Sequence, residues 1–262
     1  MCGIAGYSLD AASSVDRTLA AQALLAGIAE RGADAVGYGY RGTGAEVTIH
    51  KQRTGATALL DALRLPGEAT QALIHVRDYT KGHPSIVANN HPIRHGSVVG
   101  IHNGIIVNDE EIFARYGFGR AEPGMTVDSE AIFSLMEATG SDCAALEELE
   151  GAMATAWIDE RLPGTMHLAR GVARPLWIGR ARRELFFAST KAALEVVEGA
   201  LRLTLRKHEV AEGRLLALKG SKVVSQTRFR PDRAYCEDVA LPTVRAPHEG
   251  VSCLAKLATL AP

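Results

Sequence analysis

Residues 152–169 read AMATAWIDERLPGTMHLA: an apolar run over Ala152–Asp159, a turn at Pro163-Gly164, and a second run over Thr165–Ala169. Two short apolar runs joined through a Pro-Gly turn read as the strands of a hairpin, which pair antiparallel. The same pattern recurs outward in both directions. Gly3–Leu9, Val36–Arg41, Glu46–His50, Ala72–Val76 and Val98–His102 read as strands before the hairpin. Leu176–Gly179, Leu185–Ala188, Leu201–Leu205, Arg214–Leu218 and Lys222–Ser225 read as strands after it. Helical patterns lie between them: Thr18–Glu30, with Ser14 or Asp16 as its cap and Gly32 just past its end, then Thr54–Leu63, Asp128–Ala138, Ala144–Leu149 and Lys191–Gly199. Short strands in succession, without a strict strand-helix alternation, predict antiparallel sheets covered by helices: an α+β layered domain.

The 262 residues are 47% hydrophobic, enough for a sizeable core. The 29 Lys and Arg nearly cancel the 30 Asp and Glu, leaving a formal charge of −1. Such a balance gives no electrostatic footprint for nucleic acid or an anionic membrane. No apolar stretch reaches the length of a membrane span, and the first residues lack the layout of a signal peptide, so the expected compartment is the cytoplasm. The four cysteines, Cys2, Cys143, Cys236 and Cys253, form no CxxC pair and are expected as free thiols. Cys143 reads as a small core residue. Five histidines fall between positions 75 and 102: His75, His83, His91, His95 and His102. They show no HxH or HExxH spacing, so no metal site is expected, and His83 and His95 read as surface loop residues.

Three short stretches carry chemistry. The first is Met1-Cys2-Gly3-Ile4. Removal of Met1 would leave Cys2 with a free α-amine, which titrates near ~7.7–8.0, beside a thiol that titrates near ~8.5. One residue then supplies both nucleophile and base. The second runs His75-Val76-Arg77-Asp78-Tyr79-Thr80, then Asn90-His91-Pro92, then His102-Asn103-Gly104. Arg77 offers a planar fork suited to a carboxylate. The Asn103 amide beside the Gly104 N–H suits an oxyanion hole. The third is Thr126-Val127-Asp128-Ser129-Glu130, where Asp128 reads as a helix cap and as a carboxylate able to hold an ammonium group.

Met1-Cys2-Gly3-Ile4-Ala5-Gly6, Arg31-Gly32-Ala33-Asp34, His75-Val76-Arg77 with Thr80 and Gly82, His91-Pro92, His102-Asn103-Gly104 and Asp128 together resemble, in order and spacing, the class II glutamine amidotransferase domain. Ala169-Arg170-Gly171, Pro175–Gly179 and Phe187-Ala188-Ser189 resemble its later strands, so the likeness covers roughly residues 1 to 225. The resemblance implies the fold of the N-terminal-nucleophile hydrolases, a four-layer αββα sandwich of two antiparallel sheets flanked by helices. It implies Cys2 as nucleophile with its α-amine as base, Asn103 and the Gly104 N–H as oxyanion donors, Arg77 on the α-carboxylate of glutamine, and Asp128 on its α-ammonium. Thr80 and His91 would shape the pocket, with Arg31, Gly32 and His102 in supporting places. No cofactor is implied. Asp78, Tyr79 and Lys81 depart from the familiar pattern; a carboxylate next to Arg77 should disturb the pocket unless it points away.

The domain is expected over residues 1–228, and 229–262 as a C-terminal tail packed on it or docking a partner. Val251, Leu254, Leu257 and Leu260 recur every three residues there, as on one face of a short helix. Fewer than 40 residues follow residue 225, too few for a second catalytic domain, so a separate synthase or ligase subunit is the expected acceptor of the ammonia. Two alternatives stay open at this point: a stand-alone hydrolase of γ-glutamyl amides in larger metabolites, and a non-catalytic glutamine-sensing subunit.

Overall fold

The structure, a computed structural model, describes residues 2–237 and 242–260. Its strands form two antiparallel sheets. The first contains β1 (Gly3–Leu9), β2 (Ala35–Arg41), β3 (Val47–Gln52), β4 (Gln71–Arg77), β9 (Trp177–Arg180), β10 (Glu184–Ala188) and β11 (Arg206–Glu209), in the order β11-β9-β10-β1-β4-β2-β3. The second contains β5 (Ile93–His95), β6 (Val98–Ile106), β7 (Gly151–Asp159), β8 (Thr165–Arg170), β12 (Arg214–Lys219) and β13 (Lys222–Arg228), in the order β13-β12-β8-β7-β6-β5. The hairpin read first from the sequence is β7–β8, antiparallel from Trp157↔His167 to Ala154↔Arg170.

Three apolar layers hold the molecule together. One lies between the first sheet and helices α1 (Arg17–Ile28), α2 (Ala56–Leu60), α5 (Lys191–Leu201) and α6 (Pro247–Leu260). A second lies between the other sheet and α3 (Asp109–Tyr116), α4 (Glu130–Thr139) and the 3-10 turn Cys143–Glu148. The third, with Ile4, Leu73, Val99, Ile101, Leu168 and Phe187, fills the space between the sheets. Helix, sheet, sheet and helix make the expected four-layer αββα sandwich. β1 sits at the centre of its sheet, between β10 and β4, and every residue of it is buried.

Several expected elements fall elsewhere. Leu201–Leu205 is not a strand but the end of α5 and the turn after it; Leu205 packs into the helix layer, and the edge strand is the charged run Arg206–Glu209 that follows. Thr54–Leu63 shrinks to α2, and Ala144–Leu149 is 3-10 rather than α. α1 is capped by Asp16, whose Oδ1 accepts the Leu19 N–H at 2.9 Å. α3 and β5 were not expected at all. In α6 the stripe read from the sequence is mostly outside: Val251, Leu254 and Leu260 are exposed, while Gly250, Cys253 and Leu257 are buried. A spacing of three drifts around a helix of 3.6 residues per turn, and the 250/253/257 spacing is the one that stays on one face. Cys143 is half-buried rather than core. His95 is not a loop residue but lies on β5, its Nδ1 3.0 Å from Glu130 Oε1.

Candidate active site

Strand parity decides which side chains face the gap between the sheets. Ile4, Leu73 and Ile101 all point into it. Cys2, two residues before Ile4, therefore points there too, as do His75 and Arg77 beyond Leu73 and Asn103 beyond Ile101. Register brings them to one end: Gly3 pairs with Val76, so the start of β1 lies beside the end of β4. β6 ends at the same place on the facing sheet.

Cys2 is held from several sides. Arg31 Nε donates to the Cys2 carbonyl at 2.8 Å, and the thiol donates to the Asp78 carbonyl at 3.4 Å. One residue on, the Ile4 amide donates to Ser189 Oγ at 3.0 Å while the Ser189 amide returns a bond to the Ile4 carbonyl. Gly32 makes the approach possible: a Cβ there would stand 2.4 Å from the Arg77 carbonyl carbon and oxygen. Burial pushes the Cys2 thiol above its ordinary range, against the pull of the Asp78 hydrogen bond and of Arg77, so the sulfur stays protonated without a base.

On the facing strand, Asn103 is fully buried and both polar atoms of its amide lack a partner. Buried amides are rarely left so, and an unpaired one is a group waiting for a ligand atom. Gly104 has φ +154, and a Cβ on it would lie 1.9 Å from the Ala152 carbonyl. Only glycine fits there. His102 points to the other side of β6, its Nδ1 2.9 Å from Ser129 Oγ; burial drives it down to about 3, so it is a neutral brace.

Arg77 is buried, and the loop that follows wraps its guanidinium. Nη1 donates to Asn90 Oδ1 at 2.5 Å, and Nη2 donates to the carbonyls of Lys81, at 2.9 Å, and Gly82. Asp128 accepts the Ile106 amide on Oδ2 at 2.7 Å, and burial lifts its carboxyl to about 6. α4 begins only at Glu130, and Asp128 points back to β6 instead of capping that helix. His91 stacks on His75 with ring centroids 4.1 Å apart; both are buried, and neither ring nitrogen of His91 has a partner. Burial holds His91 well below the usual imidazole range, so it is neutral. Thr80 is exposed at the rim.

Cys2, Arg77, Thr80, His91, Gly104 and Asp128 line one cavity, with His102 in its wall. Its volume is about 10 Å³, room for roughly one water. The candidate site is closed to anything larger. Among the described residues, no group of three or more His, Cys, Asp or Glu is placed to hold a metal ion. No helix there is long and apolar enough to cross a membrane.

Three residues that the sequence offered only as neighbours within the quoted motifs also contribute. Asn90 holds the Arg77 fork, and Ser129 and Ser189 brace His102 and β1. Three residues after β13 also reach this end of the sandwich. Asp232 accepts the Gly151 amide at 3.0 Å, Glu237 pairs with the buried Arg174, and Arg245 pairs with Asp78 at 3.2 Å. The Asp78 carboxylate is thus drawn to Arg245 rather than to Arg77.

Residues 74–196 match a family model described as a glutamine amidotransferase domain. The glutamine–fructose-6-phosphate aminotransferase of Methanothermobacter thermautotrophicus is 33% identical over 177 residues, 62% of this chain and 28% of that protein. The Escherichia coli enzyme of the same name is 31% identical over 207 residues, 74% of this chain and 32% of that protein. The matched segment is a glutamine amidotransferase domain. The chain spans less than a third of the length of these curated relatives. The fold of the amidotransferase domain also recurs in solved structures. The glutamine phosphoribosylpyrophosphate amidotransferase of B. subtilis superposes with TM-score 0.65 at 21% identity, covering 87% of this chain and 49% of that one. A glutamine aminotransferase class-II domain protein from Silicibacter pomeroyi superposes with TM-score 0.52 at 17% identity, covering 88% of this chain and all of that one.

Proposed function

We propose that this domain releases ammonia from glutamine through a γ-glutamyl thioester on Cys2 and supplies it to a separate synthase or ligase subunit. The supporting observation is that Cys2 and Arg77 from one sheet, Gly104 from the facing sheet and Asp128 line one cavity, with the unpartnered amide of Asn103 next to Gly104 in the chain. Met1 lies outside the described residues. Its removal turns the Cys2 nitrogen into an α-amine, the base that the buried thiol lacks.

The thiol passes its proton to that amine, and the sulfur attacks the side-chain amide carbon. The new S–C bond pushes electrons onto oxygen, which is met by the Asn103 Nδ2–H and the Gly104 N–H. The ammonium proton goes to the leaving nitrogen as the C–N bond breaks, and ammonia departs. Water then attacks the thioester, glutamate leaves, and the thiol is restored. Arg77 takes the α-carboxylate and Asp128 the α-ammonium. A plain alkyl amide would leave both charges buried without partners and be rejected. Thr80 and His91 wall the pocket, while Arg31, Gly32 and His102 position Cys2 and β6.

The division into a catalytic domain, 1–228, and a C-terminal segment, 229–262, belongs to the same proposal; it is supported by α6 lying on α1 and α2, outside the sandwich's own strand order. The test is intact-mass analysis after exposure to a glutamine-analogue electrophile. One adduct is expected, on Cys2, in a chain lacking Met1, and Cys2→Ala should lose both the adduct and ammonia release. Full ammonia release by Cys2→Ala would end the reading. Co-purification with a synthase, against turnover of a γ-glutamyl conjugate by the protein alone, decides the acceptor.

A further inference from the structure

A second cavity, of about 250 Å³, opens on the outer face of the second sheet and shares no lining residue with the Cys2 site. Its floor is built by register. His167 of β8, Ala217 of β12 and Ser225 of β13 stand directly opposite one another, and Leu215 and Thr227 form the neighbouring row. The small Ala217 leaves the hollow between two polar side chains. A β-bulge follows between Ala217 and Leu218, re-aiming the strand beyond it.

The rim is the turn after α4. Gly140 and Ser141 both adopt left-handed backbone, φ +64 and +65, and Ser141 does so despite its side chain. The turn is tied down: the Ser141 amide donates to the Met136 carbonyl at 2.9 Å, and Trp157 Nε1 donates to Ser141 Oγ at 3.0 Å. Cys143 follows, its thiol against the Thr227 hydroxyl.

One side chain sets the polarity of the floor. His167 is 7% exposed; its Nδ1 is buried without any partner, so the ring meets an occupant through its Nε2 edge. Its ring stacks on Trp157, centroids 5.0 Å apart and planes 16° apart, which fixes the plane of the imidazole. The ring is neutral, because burial pushes it down to about 4; one nitrogen donates and the other accepts. No Lys or Arg lines the cavity, and its one formal charge is Asp142, whose Oδ1 accepts the Ala144 amide at 3.1 Å.

We propose that this cavity is a second binding site, for a small non-anionic molecule that donates hydrogen bonds through hydroxyls or an amine to His167, Asp142, Ser225 and Thr227. The volume lies below the ~300–1,000 Å³ of drug-sized sites, which limits the occupant to the scale of a short amine or a six-carbon polyol. An anion finds no cation there and faces a carboxylate.

The test uses the full chain labelled with ¹⁵N-histidine, with the His167 ring signals assigned through His167→Gln. myo-Inositol and ethanolamine are titrated in, with inorganic phosphate as the anionic control. A saturable shift of the His167 ring nitrogens is expected with the polyol or the amine and not with phosphate. Ala217→Leu fills the hollow and should abolish the shift while leaving glutamine turnover intact. On the unaltered chain, the ligand should slow alkylation of Cys143 by iodoacetamide severalfold, read by peptide mapping, which keeps the test open if the leucine variant does not fold. Absence of a saturable shift with both probes, an equal shift in Ala217→Leu, or phosphate binding as well as either probe would overturn the proposal.

Discussion

Asn103 places an amide in the interior with neither polar atom paired. Leaving a buried polar group unpaired costs ~1–3 kcal/mol, so a near-isosteric leucine should not weaken the fold. Asn103→Leu is expected to melt no lower than the wild type, while kcat for glutamine drops ~10²–10³-fold as one oxyanion donor is lost. Steady-state kinetics and a melting curve on the same sample check both halves. Asp128 makes a similar exchange. Its folded carboxyl, lifted by burial to about 6, binds its proton more tightly than the unfolded one. The empty protein therefore loses stability as pH rises from about 4 towards 6, and the cost persists at neutral pH. Asp128→Asn keeps an acceptor for the Ile106 amide and removes the charge, so it should raise the melting temperature at pH 7. It should also raise KM for glutamine at least about tenfold, because losing one partner of a buried charge pair costs ~2–5 kcal/mol. In the wild type, KM should climb as pH falls through about 6, and in the variant that slope should vanish.

Among the elements, those with a buried face announced themselves in the sequence and those without did not. β1, β4 and β7 are buried along their whole length, and their apolar runs were read close to their true ends. β11 is an edge strand of charged residues with nothing to bury, so the apolar Leu201–Leu205 beside it drew the assignment. α3 packs mainly Ile112 and Phe113 and has a polar composition. Its signals were terminal ones: acids at 109–111 in the first turn and Gly117 in the left-handed C-cap. The site followed the same logic. Cys2, Arg77, Asn103 and Asp128 stand in short local motifs, while Arg174 and Arg245 gain their places only from chain-distant packing. α6 gives a clean check of which face holds it. Leu257→Ala should cost ~2–5 kcal/mol in urea unfolding. Val251→Ser, on the exposed face, should stay within about 0.5 kcal/mol.

Across the whole molecule, residues on both sides of 238–241, Glu237 before and Arg245 after, are tied to the catalytic end. Their two ion pairs differ in worth. Arg174 is buried, so Glu237→Ala strands a charge and should cost ~3 kcal/mol or more. Arg245 is largely exposed, and Arg245→Ala should cost about 1 kcal/mol or less while speeding proteolysis within 78–84, the loop it anchors. Chemical denaturation and limited digestion separate the two. The order of the strands also reaches back to how the protein is made. β1, translated before both of its neighbours, lies between β4 and β10, and Ala5 faces Ala188. At ~5–20 residues per second the ribosome needs on the order of ten seconds or longer to deliver that second neighbour. Through that interval β1 has only half of its final surroundings, so the Met1 removal that the proposed chemistry requires has time to precede the walling-in of the sulfur.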